Sequence, residues 1–152
     1  CIRDSSISGL FDLDIDETPH GPLTDMGWPL TPNGLEALLV RWHKEYGDKL
    51  PDLYITENGA AYDEGPDASG RVADQRRIDY LHTHLNAVSN AIAQGSPVKG
   101  YYQWSLMDNF EWALGYEKRF GIVHVDFDTQ KRTIKDSAKW YAEVIKNNGA
   151  NL

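Results

Sequence analysis

Two short apolar runs constrain this chain more than anything else in it. Leu53–Ile55, extended by Thr56, and Val98–Ser105 (VKGYYQWS) are β-rich segments too apolar for a half-exposed strand. Each lies between helical patterns. Thr31-Pro32 is a start signal, a hydroxyl followed by proline at the first helical position. Leu35, Leu38, Leu39 and Trp42 follow at helical spacing, and Gly47 ends the run. Ile78, Leu81, Leu85, Val88 and Ile92 repeat at intervals of three and four up to Gly95. Asp136 or Ser137 is the expected cap of a last helix carrying Ala138, Tyr141, Val144 and Ile145. Gly121–Phe127 and Thr133-Ile134 read as a hairpin turning at Asp128-Thr129-Gln130. Helix, strand, helix, strand, helix predicts an α/β fold with parallel strands and right-handed crossovers. Two strands leave both sheet edges open, so the pattern predicts part of an α/β barrel or doubly wound sheet.

Residues 1–27 show no sustained period, are rich in Asp, Ser, Gly and Pro, and are expected to form an exposed loop; order is expected from Trp28 to residue 152. The first residue is Cys1, not Met, so a cut, split or truncated connection is expected before it. With 23 acidic residues against 15 Lys plus Arg, the net charge is −8, which argues against a nucleic-acid partner. The apolar runs fall far short of the roughly 20 residues of a membrane span, and no leader is visible; with a single Cys, this leans toward the cytoplasm. One Cys also excludes a thiolate zinc cluster. His82 and His84 stand two apart on a helix and make a poor metal pair, while His20, His43 and His124 are isolated. Asp12, Asp14, Asp16 and Glu17 lack the glycine and terminal glutamate of a calcium loop. No metal or cofactor is expected.

In α/β folds ligands lie beyond the carboxyl ends of the strands. Here those ends deliver Glu57 and Asn58 from the first strand, and Trp104, Asp108, Asn109, Glu111 and Trp112 from the second. Carboxylates, amides and indoles on one rim suit a sugar, which offers C–H faces for stacking and hydroxyls for hydrogen bonds. Taken singly, Asp108 and Asn109 read better as loop braces than as substrate contacts. Trp28, Trp42 and Trp140 read as packing residues.

Residues 54–59 (YITENG), 101–112 (YYQWSLMDNFEW) and 115–122 (GYEKRFGI) resemble glycoside hydrolase family 1, the β-glucosidase family, as do MGWPLTPNGL and RTIKDSAKWY. The resemblance runs from about Thr24 to Gly149. It implies the carboxyl-terminal part of a (β/α)8 TIM barrel, with the two strands as its seventh and eighth. It implies a retaining mechanism with Glu57 as nucleophile, beside a protonated carboxyl ~5–5.5 Å away. In this family that acid belongs to an Asn-Glu-Pro motif, which is absent here. The resemblance further implies that Glu111 accepts from the C4 and C6 hydroxyls and that Trp112 reaches the C3 hydroxyl. It makes Trp104 the platform under the ring, counts Asn58, next to the nucleophile, among the substrate-binding residues, and places Phe120 at the C6 end, where core packing is the competing reading. A carboxylate at 111 implies an unphosphorylated β-glucoside or β-galactoside. The implied partner is an amino-terminal segment of the same enzyme carrying the general acid/base; alone, the chain is expected to be inactive. A non-catalytic carbohydrate-binding or self-associating barrel fragment is the alternative.

Overall fold

The computed structural model describes residues 21–152. Cys1, His20 and the acidic run from Asp12 to Glu17 lie outside the described residues. The elements are α1 (Pro32–Tyr46), β1 (Leu53–Asn58), α2 (Gln75–Ala93), β2 (Val98–Gln103), β3 (Val123–Val125), β4 (Arg132–Ile134) and α3 (Asp136–Lys146). Single 3-10 turns occupy Gly47–Lys49 and Trp112–Leu114.

β1 and β2 pair in parallel, joined by α2, as the alternation of patterns predicts. Leu53, Ile55, Val98 and Tyr101 pack against Leu35, Leu39, Val40, Val88 and Ala91 of α1 and α2. Register slips after the first pair: Leu53 stands opposite Val98, but Tyr54 opposite Gly100. The extra residue, Lys99, lets Val98 and Tyr101 share the helix-facing side, which strict alternation forbids. On the other side Tyr54 and Tyr102 remain more than half exposed. β3 and β4 form the expected hairpin, with Val123 opposite Ile134 and Val125 opposite Arg132.

The helix starts differ from expectation. Thr31 makes no side-chain cap; its carbonyl accepts from Gly34 and Leu35 N–H at 3.0 and 3.4 Å. In α3, Asp136 is the first helical residue and Lys135 takes the cap position. Ser137 does not cap, because its N–H and hydroxyl both donate to the buried Asp74 carboxylate, at 2.8 and 2.5 Å. A side chain from the start of α2 thus satisfies the start of α3. Residues 21–27, in the expected loop, form no helix or strand but are tied down by hydrogen bonds. The Thr24 hydroxyl accepts from Met26 and Trp28 N–H, and Asp25 carboxylate oxygens accept from Arg76 and from Asp63 N–H. Arg76 also pairs with Glu64 at 2.8 Å.

Candidate active site

β1 ends at Asn58 and the chain then crosses the tip of β2. The Trp104 N–H donates to the Asn58 carbonyl at 3.0 Å, and the Tyr101 hydroxyl donates to Asn58 Oδ1 at 2.7 Å. Burial holds the Tyr101 phenol far above its usual titration range, so it stays a donor. Gly59 is required by contact: a Cβ there would sit 1.8 Å from the Trp104 carbonyl oxygen. The two strand tips are therefore in direct backbone contact. Just before this junction, Glu57 is exposed, and among the described residues no donor or cation reaches its carboxylate.

The opposing half of the rim is the loop 104–121. Trp104, joined to Ser105 by a cis peptide bond, is 37% exposed. Its indole N–H donates to Glu111 Oε1 at 3.3 Å. The same oxygen accepts from Asn109 Nδ2 at 3.1 Å. Trp112 follows at 85% exposure with φ of 47°, a left-handed conformation that side chains of its bulk seldom adopt. Phe120 is 4% exposed and its ring lies 6.3 Å from that of Trp28.

Asp108 braces this loop, as expected, and makes no exposed surface of its own. Its carboxylate accepts from Arg119 at 2.8 Å, Lys135 at 3.1 Å, Gly121 N–H at 3.0 Å and Val125 N–H at 3.3 Å. Burial, reinforced by the Arg77 cation, pushes the Lys135 ammonium below its usual range, and Asp108 opposes the shift. Gly121 is a second required glycine, since its Cβ would lie 2.1 Å from Asp108 N. His124, buried nearby, is pushed down by burial and then by Arg119.

Arg77 is the residue the sequence conceals. It sits in the first turn of α2, fully buried, paired with Asp74 at 3.0 Å. Its guanidinium donates to the carbonyls of Ala60, Tyr62, Arg119 and Phe120. It thereby ties the chain after β1 to the chain before β3. A signal did exist: Arg77 precedes the apolar Ile78, one position off the stripe, but nothing local marks it as buried. His84 is buried and stacked on Tyr80 at 3.9 Å, with its Nδ1–H donating to the Tyr80 carbonyl; burial pushes its imidazole down. His82 stays exposed, its ring 6.2 Å from Trp140. Among the described residues no His, Cys, Asp and Glu group could hold a metal ion, and no helix is long and apolar enough to cross a membrane.

Comparison with known proteins now gives the rim its context. Beta-glucosidase A of Thermotoga maritima is 56% identical over 128 residues, 84% of this chain and 28% of the relative. A 6-phospho-beta-galactosidase of Staphylococcus aureus is 47% identical over 137 residues, 90% of this chain and 28% of that one. The solved beta-glucosidase from Thermotoga maritima in complex with methyl acetic acid-substituted glucoimidazole superposes with a TM-score of 0.84 at 53% identity. That match covers 88% of this chain and 30% of the solved one. The chain spans less than a third of the length of these relatives, and its fold is part of a (β/α)8 barrel. A family model described as glycosyl hydrolase family 1 matches residues 7–150, and the chain belongs to that family.

Proposed function

We propose that this chain supplies the nucleophile and much of the glycone site of a retaining β-glycosidase, acting on unphosphorylated β-D-glucosides or β-D-galactosides. Glu57 attacks the anomeric carbon, and the aglycone oxygen leaves with a proton from a general acid outside this chain. Water, deprotonated by the same group, then releases the sugar from the Glu57 ester. Catalysis therefore needs the amino-terminal barrel segment, and the isolated chain is inactive. The observation that carries the reading is the juxtaposition at the rim. An exposed strand-end carboxylate stands where β1 meets β2, and β2 leads directly into the Trp104–Glu111 pair.

Glu111 suits hydroxyl recognition and disfavours a phosphate, because two anions at one end of the sugar repel. On that ground this chain is assigned to unphosphorylated glycosides although one of its relatives is a 6-phospho-beta-galactosidase.

The test is labelling of the assembled barrel, the chain joined to its amino-terminal segment, with a 2-deoxy-2-fluoro-β-glucoside. A mass gain of one fluoroglycosyl group on the Glu57 peptide is the expected result. The half-exposed Tyr54 and Tyr102 and the open Trp112 favour a second reading, a carbohydrate-binding or self-associating barrel piece. Reversible sugar binding without labelling, or concentration-dependent association alone, would select it.

A further inference from the structure

Glu111 is held on one side only. Its Oε1 receives both the Trp104 indole N–H and an Asn109 amide N–H, which occupies the two lone pairs of that oxygen. Among the described residues nothing donates to Oε2. The carboxylate is thus anchored by one oxygen and open at the other.

The orientation of the Asn109 amide is determined by its neighbours. Glu111 Oε1 and the Phe110 carbonyl only accept, so Nδ2 faces them, at 3.1 and 3.3 Å, and Oδ1 is left 3.0 Å from the Ser105 hydroxyl, whose one proton also has the Met107 carbonyl at 2.9 Å. Ser105 is itself 7% exposed, and its backbone is clamped on both sides. Its N–H donates to Phe120 at 3.1 Å, and its carbonyl accepts from Ile122 N–H at 3.0 Å. A rigid backbone therefore holds a hydroxyl against the amide oxygen, and the amide N–H group faces the carboxylate.

We propose that Asn109 is a positioning residue for glycone recognition: it pins Glu111 so that Oε2 alone is presented to the sugar hydroxyls. The inference rests on the glycosidase reading above. Asn109 touches no substrate in this scheme and acts through Glu111. Without it, Glu111 keeps one donor and gains rotamers, and the hydroxyls meet a carboxylate that must be ordered on binding.

The experiment compares kcat/KM of the assembled barrel for 4-nitrophenyl β-D-glucoside with that for its 4-deoxy and 6-deoxy analogues. Asn109→Ala and Asn109→Asp are measured beside the parent. Asn109→Asp keeps the size of the side chain and the acceptor for Ser105, but loses the donor and sets a second carboxylate against Glu111. The expected result is that the glucoside-to-deoxyglucoside ratio falls by roughly ten-fold or more in Asn109→Asp, and by less in Asn109→Ala. Labelling of Glu57 by the fluoroglycoside should persist in both. A parental ratio in Asn109→Asp overturns the inference, because the packing and the Ser105 bond would then be all that matters. So does an equal loss on all three glycosides, which indicates a structural role. If Asn109→Ala fails to fold, the near-isosteric Asn109→Asp decides alone. A parent protein with neither turnover nor labelling overturns the glycosidase reading first, and this inference with it.

Discussion

Two glutamates stand on the same rim under opposite constraints. Glu57 rides on a strand and has no donor among the described residues, whereas Glu111 sits in a loop and has two on a single oxygen. Under the proposed function the two carry separate tasks. A group that must form a bond to carbon gains from a rigid backbone. A group that must judge the position of hydroxyls gains from a side chain fixed in advance. The backbone beneath each differs accordingly: β1 is secured by its pairing with β2 and by Arg77, while the Glu111 loop depends on Asp108 and its four donors.

The strongest way to break this comparison is Glu57→Gln in the assembled barrel. The amide matches the carboxylate in shape but forms no glycosyl ester, so kcat should drop on the order of 10⁴-fold while the reversible affinity for glucose changes little. Unimpaired turnover would end the assignment. Asp108→Asn comes next. It leaves Lys135 and Arg119 without their shared counter-charge in a buried setting, which should cost about 3–5 kcal/mol in urea unfolding. Under conditions where this variant stays folded, the glucoside-to-deoxyglucoside ratio should suffer and Glu57 labelling should survive. Loss of both would show that the two halves of the rim are not separately braced. The smallest effect is expected of Glu111→Gln. It should lower kcat/KM for glucosides by about ten-fold and raise the relative rate on 6-phosphoglucosides, since the repelling charge is gone. An unchanged phosphate preference, read from the ratio of the two rates, would remove Glu111 from specificity.

Much of this architecture was legible before any coordinates, because apolar spacing is a local signal. Pro32 opens α1, the Ile78–Ile92 stripe becomes α2, and the hairpin turns where Asp128-Thr129-Gln130 stands. The rim residues were legible for another reason: the two motif blocks carry a family's pattern. Charge burial was not legible. Arg77, Asp74, Lys135 and Ser137 are all fully buried, yet each looks like an ordinary polar residue near a helix start. Asp74 serves Ser137 from 63 positions away, and Lys135 finds Asp108 across 27. Such partners are set by tertiary packing, which no window of sequence contains. The cap expected at Ser137 failed for the same reason, its N–H and hydroxyl both being taken by the distant Asp74.

Gly59 makes the tip of β1 and the Trp104 end of the rim loop mechanically inseparable. With no clearance between its α-carbon and the peptide of Trp104, neither tip can slide without displacing the other. An alteration that re-aims the indole to suit a new sugar is therefore transmitted to the carboxylate two residues upstream of that glycine. Evolution or engineering that retunes substrate choice on this scaffold has more freedom farther along the loop, beyond Ser105, where the chain has left the contact.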